Sequence, residues 1–451
     1  MMYPYIPHTD EDRKLMLQSI GANSLEELFS HIGEDLLLSD SVPISHGKTE
    51  DEVQRMINSI AQRNVKGISF LGCGCYDHII PSTVKALSSL PSFVTAYTPY
   101  QAQLSQGLLQ AMYEFQSMIC EITGLDVANS SLYDGANAAS EAASLMLNAK
   151  RKASVVLVSK TLHPFTLQVL QTWAEGSEYT LGYVEEKDGL PDFSVLESIL
   201  DDRCCGLLVQ TPNRYGLLED YTGLAQLLHD RDMLFAISSD PLSLAIQKSP
   251  QEWGADIAIG DTQSLGLELA FGGPSCGYMA VRQELLRKLP GRLVGSTVDK
   301  QGRRGFTLTF QAREQHIKRE RATSNICSNQ ALAALMTSIH LSSLGWDGMV
   351  EAARQSYVKA HYLAYHLAQL PGMTLVWDKP FWCEFPLVFS DAKHMRKFLQ
   401  ELRNEGIWAG VRLAQLTRQA KDELVLLVAV TEKRSREELE LYLAAARRVM
   451  K

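Results

Sequence analysis

A loop rich in serine and small residues has the composition of an anion site. Residues 130–137 read Ser-Ser-Leu-Tyr-Asp-Gly-Ala-Asn and lead into the alanine-rich run 138–143. Because the first backbone N–H groups of a helix have no partner within the helix, such a loop can bind a phosphate or a carboxylate. Ordinary helix capping and close packing of small residues explain the same sequence equally well, since the loop has no phosphate-binding lysine.

An acidic residue follows an apolar run that has the composition of a strand. Ser238, Ser239 and Asp240 stand at the end of the run 233–238. In an open parallel sheet the carboxyl ends of the strands face the ligand crevice, and there Asp240 would be able to hold a protonated pyridine nitrogen. The alternative is a turn or cap aspartate before Pro241.

Two further segments have side chains suited to binding. The loop 95–101, Thr-Ala-Tyr-Thr-Pro-Tyr-Gln, places two tyrosines and a glutamine beside a proline, a composition that favours binding surfaces. A basic cluster precedes 322–325 and consists of Arg313, His316, Lys318, Arg319 and Arg321. Taken in isolation, the loop is better explained as a partly buried turn. The basic cluster is explained as a solvated helix face, with an anion-binding edge as the alternative.

Composition and spacing argue against several other kinds of chemistry. With 43 basic and 52 acidic side chains among 451 residues, the net charge is −9, which argues against nucleic-acid and anionic-membrane binding. The 8 cysteines form no C-x-x-C pair and no histidine pair follows at zinc spacing, so we predict no metal site. Cys73 and Cys75 are the one cluster with a possible reactivity, although a tight turn around Gly74 is the favoured interpretation. No serine-histidine-acid order stands out.

The hydrophobic patterns predict the elements that position these residues. Apolar residues at three- and four-residue steps from Leu104 to Ile122 predict a long helix that ends near Gly124. After residue 150, short apolar or β-branched runs alternate with helical segments, which is typical of a mostly parallel sheet covered by helices. The runs are 155–159, 206–210, 233–238, 256–260 and 278–281.

The same patterns divide the chain into three parts. We predict an N-terminal helical segment at 1–69 that wraps a neighbour, a large α/β domain at 70–325, and a small α+β domain at 326–451. No stretch approaches the ~20 apolar residues that span a bilayer. The N-terminus lacks a basic region followed by an apolar run, so the expected location is the cytoplasm.

Several strings, spread in order over most of the chain, form a set of motifs. They are 95–101 with 104–107 (Leu-Ser-Gln-Gly), 122–131 (Ile-Thr-Gly-Leu-Asp-Val-Ala-Asn-Ser-Ser), 271–274 (Phe-Gly-Gly-Pro), 312–319 and 322–327. Such a set is far more specific than a lone short motif. Together these strings resemble the glycine decarboxylase P-protein family. The resemblance implies the aspartate aminotransferase-like fold, fold type I of the pyridoxal-phosphate-dependent transferases. It also implies a chain that corresponds to the N-terminal half of the long P-protein.

The sequence departs from the family pattern where the catalytic half has its Schiff-base lysine. The segment 260–274 contains no lysine, and alignment on Gly-Gly-Pro puts Gln263 at that position. An amide cannot form an imine with an aldehyde, and Lys248 and Lys288 lie outside the segment. The loop 130–138 also lacks a histidine to stack on a pyridine ring. The resemblance therefore implies no covalent cofactor on this chain and pyridoxal phosphate on a partner subunit.

The resemblance implies one subunit of glycine dehydrogenase (aminomethyl-transferring), inactive alone. With a lysine-bearing second P-protein subunit, in a dimer of heterodimers, it would decarboxylate glycine and pass the aminomethyl group to the lipoyl arm of the H-protein. Because active sites of this fold lie at the dimer interface, the candidates for contact are Tyr97, Thr98, Tyr100, Gln101, Arg313, His316, Thr323 and Asn325. The alternatives are a scaffold subunit with no residue contacting substrate, and a self-sufficient pyridoxal-phosphate enzyme.

Overall fold

The structure, a computed structural model, describes residues 5, 7–37, 42, 45–150, 152–177 and 179–450. The chain forms two compact units that meet in the sequence between Val65 and Lys66. In the described part, no helix is long and apolar enough to cross a membrane.

The chain contains the following helices and strands, which alternate along most of the second unit; α1 and α2 belong to the first unit. The α-helices are α1 Asp10–Ser19, α2 Glu50–Ala61, α3 Ser82–Ser88, α4 Pro91–Val94, α5 Gln106–Thr123, α6 Gly135–Ala149, α7 Pro164–Glu175, α8 Leu196–Ile199, α9 Leu224–His229, α10 Gln315–Lys318, α11 Ala331–Ala368, α12 Ala392–Asn404, α13 Ala414–Thr417 and α14 Arg436–Val449. The strands are β1 Ile68–Ser69, β2 Val127–Ala128, β3 Val155–Ser159, β4 Thr180–Val184, β5 Glu186–Lys187, β6 Leu190–Pro191, β7 Cys204–Gln210, β8 Leu234–Ser238, β9 Ile257–Asp261, β10 Gly277–Val281, β11 Val294–Val298, β12 Arg304–Leu308, β13 Met373–Leu375, β14 Glu384–Phe389, β15 Ile407–Trp408, β16 Val411–Arg412 and β17 Val425–Ala429.

The first unit contains two capped helices, and none of its described residues is buried. Thr9 caps α1 and Thr49 caps α2, each in a capping box with the acidic residue three positions later. On α2 the apolar side chains recur at helical spacing and are exposed; they are Val53, Met56, Ile57 and Ile60. This apolar stripe lacks the burial that normally stabilises an amphipathic helix.

A seven-stranded sheet forms the centre of the second unit, in the order β2-β10-β9-β8-β7-β3-β4. Strands β9, β8, β7, β3 and β4 run parallel to one another, whereas β10 pairs antiparallel with both β9 and β2. Most residues of the parallel strands are buried and apolar, as expected when helices cover both faces. The predicted mostly parallel α/β sheet is confirmed.

Small residues bring helix α6 close to the central sheet. Its fully buried alanines lie in one core with strands β3 and β9, and they are Ala138, Ala139, Ala142 and Ala143. The helix begins at Asp134, whose carboxylate accepts the Asn137 N–H at 2.7 Å. The alanine-rich run that follows the predicted anion loop therefore sets how closely this helix approaches the strands.

The C-terminal part is the smaller α+β region that the sequence predicts. Strands β13, β14, β17 and β16 form an antiparallel sheet, and its core includes Phe385, Phe398 and Tyr442. Beside it, β1 pairs with β15, and the Phe70 carbonyl accepts the Ala429 N–H at 3.0 Å. The segment that follows β1 is therefore hydrogen-bonded, at Phe70, to strand β17 of the C-terminal sheet. The exact division at 69/70 and 325/326 stays a prediction.

Close packing in the central sheet predicts opposite effects of one substitution at two glycines. A Cβ at Gly206, in β7, would meet the Leu234 carbonyl oxygen at 2.3 Å and the Met146 sulfur at 2.8 Å. Gly206→Ala should therefore lower the free energy of unfolding by about 1–3 kcal/mol. Gly107→Ala, in helix α5, is the control, because a Cβ added there would have no atom of another part of the chain within 4 Å. This substitution should raise the free energy of unfolding by up to ~1 kcal/mol. Urea denaturation measures both, and equal changes would contradict the expectation.

Candidate functional site

The carboxyl ends of the parallel strands meet at one edge of the central sheet. Gln210 ends β7, Asp240 lies two residues after β8, Asp261 ends β9, and Gln263 lies two residues further on. Open parallel sheets bind ligands outside this edge. The row of polar side chains is therefore the candidate site, and we call the space above it the crevice.

Asp240 stands at the end of β8, where the sequence analysis puts it. Its Oδ1 accepts the Leu242 N–H at 2.9 Å and the Ser264 hydroxyl at 2.7 Å. Burial raises the pKa of Asp240, and the charge of His78 opposes that rise. Asp240 thus accepts hydrogen bonds from the turn that follows it. It also interacts electrostatically with His78, which belongs to a different segment of the chain.

Asp261 occupies the anion position at the start of helix α6. Its Oδ2 accepts the Gly135 N–H at 3.0 Å, and its Oδ1 accepts the Gln263 N–H at 2.9 Å and the Ser275 hydroxyl. Burial raises the pKa of this carboxyl group. The loop 130–137 does feed a helix N-terminus, as predicted, but a carboxylate of the chain itself binds there.

Gln263 has its side-chain amide bonded to backbone groups. Its Oε1 accepts the Tyr76 N–H at 2.9 Å, and its Nε2 donates to the carbonyls of Tyr76 at 3.0 Å and Leu267 at 3.1 Å. The two lysines nearest in sequence have other contacts. Lys248 lies over the Trp253 ring, 4.2 Å from its centroid, and Lys288 donates to the Asn148 carbonyl at 2.9 Å.

Residues 72–79, which we call the strap, cross from the C-terminal sheet to Gln263. The Cys73 N–H donates to Oε1 of Glu384 at 2.6 Å, and the Tyr76 hydroxyl donates to its Oε2 at 3.1 Å. Glu384 is 1% exposed at the start of β14. The strap is therefore hydrogen-bonded on one side to Gln263, in the loop after β9, and on the other to Glu384 of the C-terminal sheet.

The second half of the strap contacts the loop after β17. Glu432 accepts the Ile79 N–H at 2.7 Å, and its other oxygen lies 2.7 Å from Nδ1 of His78. Burial is the largest single effect on His78 and disfavours its imidazolium, but the hydrogen bond to Glu432 and the negative charges of Glu432, Asp240 and Asp77 together raise the pKa of His78. Asp77 pairs with Arg434 at 2.9 Å. Ionic contacts thus fix the end of the strap that leads away from the crevice.

The two strap cysteines lie in a left-handed turn, with φ of 71° at Cys73 and 85° at Gly74. Burial raises the pKa of the Cys73 thiol. Because the thiolate is the reactive form of cysteine, this thiol is a poor nucleophile at neutral pH, whereas Cys75 is exposed. The tight-turn interpretation of 73–75 agrees with this geometry.

The aromatic loop 95–101 presents its two tyrosines differently. Tyr97 is 98% exposed, whereas the Tyr100 hydroxyl donates to Oδ1 of Asn329 at 2.7 Å. The Asn329 side chain in turn donates to the Ser130 carbonyl at 2.9 Å. Tyr100 therefore ties this loop to the loop that leads into α6, while Tyr97, Thr98 and Gln101 face solvent.

The basic cluster is only partly a solvated face. Arg313 is half-buried and donates to the Leu289 carbonyl, so the solvated-face interpretation is wrong for this residue. His316, Thr323 and Asn325 are exposed. In the described residues, no hydrogen bond joins any of the eight contact candidates to Asp240, Asp261 or Gln263.

Glu384 and Glu432 are site residues that the sequence reasoning missed. A charge inside the apolar run Trp-Cys-Glu-Phe at 382–385 was the available signal for Glu384, because a carboxylate in a buried strand requires partners. Glu432 stands in the charged string 432–434 after β17, which looks like an ordinary solvated turn.

The family model described as glycine cleavage system P-protein matches residues 3–445 of this chain. The chain belongs to that family. A relative from Chlorobium phaeobacteroides named probable glycine dehydrogenase (decarboxylating) subunit 1 is 44% identical over 443 residues, which cover 97% of this chain and 98% of the relative. A relative of the same name from Bacillus thuringiensis subsp. konkukian is also 44% identical over 443 residues, covering 98% of each chain.

Solved structures give the fold of this P-protein family member. A crystal structure of glycine decarboxylase (P-protein) of the glycine cleavage system, in inhibitor-bound form, matches with a TM-score of 0.87 and 38% identity over 100% of both chains. Lactobacillus brevis glutamate decarboxylase matches in fold alone, with a TM-score of 0.67 and 13% identity over 92% of this chain and 95% of that one. The predicted fold type I of pyridoxal-phosphate-dependent enzymes is confirmed.

The crevice of this P-protein family member does not fit pyridoxal phosphate. The cofactor requires a lysine for its aldehyde and free N–H groups for its phosphate. Gln263 cannot form the imine, the carboxylate of Asp261 binds the Gly135 N–H, and Tyr76 of the strap lies against Gln263. The polar groups at this edge of the sheet are instead hydrogen-bonded to one another and to the strap.

The buried carboxyl group of Glu384 predicts a pH dependence of stability. Burial raises its pKa from 4.5 to about 7 in the folded chain. Between these values the folded chain is protonated at this position and the unfolded chain is ionised, so the free energy of unfolding falls as the pH rises. Glu384→Gln keeps an acceptor for the Cys73 N–H and removes the titration. It should reduce that fall by up to ~3 kcal/mol.

Urea denaturation across this pH range measures the effect. A residual fall is expected in the variant, because burial also raises the pKa values of Glu141 and Glu219 to about 7. Glu320→Gln is the control, since that side chain is 80% exposed. An unchanged pH slope in Glu384→Gln would contradict the assignment.

Proposed function

We propose that this chain is the cofactor-free subunit of a two-subunit glycine decarboxylase. The observation that carries the proposal is the position and bonding of Gln263, whose amide stands where the family's catalytic half has its lysine and is committed to the backbone of Tyr76. The relatives' name, subunit 1, supports a second subunit. That partner bears the lysine and the pyridoxal phosphate, which supplies an electron sink.

The proposed reaction of the complex is decarboxylation of glycine with transfer of the aminomethyl group to the lipoyl arm of the H-protein. This chain contributes a wall of the partner's site and is inactive alone. The proposed contacts come from the exposed donors and acceptors of two segments, Tyr97, Thr98, Gln101, His316, Thr323 and Asn325. Tyr100 and Arg313 are proposed as positioning residues, because both are bonded within the chain.

The proposed assembly is a dimer of heterodimers in the cytoplasm. The apolar stripe of α2 supports a protein partner, since exposed apolar surface of this kind marks interaction sites. We propose that this helix covers a neighbouring subunit. An obligate interface of this type should bury more than ~2,000 Å² in total.

A scaffold subunit without substrate contacts is the second candidate. One observation favours it: the Tyr100 hydroxyl is already bonded to Asn329 and has no need of a partner group. A self-sufficient pyridoxal-phosphate enzyme has no such support, because Asp261 binds the helix N-terminus that a phosphate requires.

Co-expression with a lysine-bearing P-protein subunit tests the proposal. Glycine–bicarbonate exchange should require both chains, and neither chain should be active alone. After borohydride reduction, mass spectrometry should find the pyridoxyl group on the partner and none on this chain. A pyridoxyl-lysine on this chain, or full exchange by the partner alone, would overturn the proposal.

Substitution of Tyr97 separates the catalytic wall from the scaffold. In the assembled complex, Tyr97→Phe removes one exposed hydroxyl and should lower the exchange rate about tenfold or more, as loss of a hydrogen bond to a charged group costs ~1.5–3 kcal/mol. The control is Tyr365→Phe, a tyrosine of α11 that is 65% exposed. Unchanged exchange with unchanged assembly in Tyr97→Phe would favour the scaffold.

A further inference from the structure

We propose that the strap is the permanent internal occupant of this chain's own crevice, and that Gln263 is the positioning residue that holds it there. The position that lost the lysine has then gained a structural role, which closes the crevice to any cofactor. The inference concerns this chain by itself and stands whether or not the proposed partner exists.

The Gln263 side chain bonds both backbone groups of one strap residue, as the backbone of a neighbouring β-strand does. Its amide oxygen accepts the Tyr76 N–H and its amide nitrogen donates to the carbonyl of the same residue, at 2.9 and 3.0 Å. The third bond, to the Leu267 carbonyl at 3.1 Å, fixes the amide orientation. The side chain is 6% exposed, so these three bonds are shielded from water while the strap is in place.

The same backbone-like pairing occurs at two other glutamines of the chain. Gln116 pairs with both backbone groups of Val294 at 2.9 and 3.0 Å, and Gln106 pairs with those of Phe306 at 2.8 and 2.9 Å. Both attach the β11–β12 hairpin to helix α5. A glutamine amide in this geometry therefore joins two segments of the fold, and Gln263 has the geometry of a joining residue.

The buried carboxyl group of Glu384 and the partly buried one of Glu432 hold the strap at its ends. Glu384 accepts the Cys73 N–H at 2.6 Å, and Glu432 accepts the Ile79 N–H at 2.7 Å. The Asp77 carbonyl accepts the Thr431 hydroxyl at 2.7 Å. With Gln263 in the middle, side chains from three places in the sequence bind the strap along its length. A ligand could enter only by breaking several of these bonds together.

The crevice is closed at the helix end as well. Asp261 binds the Gly135 N–H, and a Cβ at Gly135 would lie 3.2 Å from the Cβ of Asp261. The Gly135 N–H and the backbone of the strap beside Gln263 thus both have hydrogen-bond partners within the chain. We therefore infer that neither inorganic phosphate nor pyridoxal phosphate binds in this crevice.

Hydrogen–deuterium exchange of the full chain, read by mass spectrometry, tests this inference. Strap amides should be protected in the unmodified chain, and Gln263→Ala should speed their exchange about tenfold or more. The matched control is Gln116→Ala, which removes the same pair of backbone bonds elsewhere. It should speed exchange in the β11–β12 hairpin and leave the strap unchanged. Strap amides that exchange freely in the unmodified chain, or that stay protected in Gln263→Ala, would overturn the proposal.

A second variant keeps the test decisive if Gln263→Ala does not fold. Gln263→Glu keeps the acceptor for the Tyr76 N–H but loses both donors, so strap exchange should still rise; unchanged exchange would refute the role of Gln263. Pyridoxal phosphate and inorganic phosphate are the probes for closure. Neither should alter strap exchange in the unmodified chain, and a change with either would show an open crevice. No step requires glycine turnover, so the result is independent of the proposed decarboxylation.

Discussion

The site depends on one interaction, the pairing of the Gln263 amide with both backbone groups of the buried residue Tyr76 at the middle of the strap. From that pairing follow the burial of Tyr76, the contact of its hydroxyl with Glu384, and the course of the strap toward Glu432. The crevice is closed because a polypeptide segment with fixed partners lies in it.

Because of this closure, we expect that Gln263→Lys alone would not create a cofactor site. A lysine at position 263 would offer three donors and no acceptor, so the Tyr76 N–H would lose its partner. The Gly135 N–H would still donate to Asp261 and not to an anion. The contacts of Gln263 and Asp261 within this chain therefore use groups that a cofactor would need.

Sequence patterns predict the local features of the fold well because they act over a few residues. Helix α5, the parallel strands and the position of Asp240 at a strand end all follow from periodicity or from apolar runs. The closing contacts of the site are different in kind. Tyr76 and Gln263 lie 187 positions apart, and Cys73 and Glu384 lie 311 apart. No periodic pattern encodes such pairs, so the strap is visible in the sequence only as a glycine-containing turn.

The same distinction governs the contact candidates. The string Tyr-Thr-Pro-Tyr does not reveal which tyrosine is exposed and which is bonded within the chain, because both side chains have the same chemistry. The partner that decides it, Asn329, lies 229 positions from Tyr100, whereas Tyr97 has no such partner in the part of the chain that the structure describes and is exposed. Once Tyr100 is fixed against Asn329 and Pro99 limits the backbone, the loop holds Tyr97 outward at little further cost in conformational entropy. An exposed aromatic ring on a preorganised loop is well suited to contact another subunit, whereas a mobile loop would have to be ordered at the moment of binding.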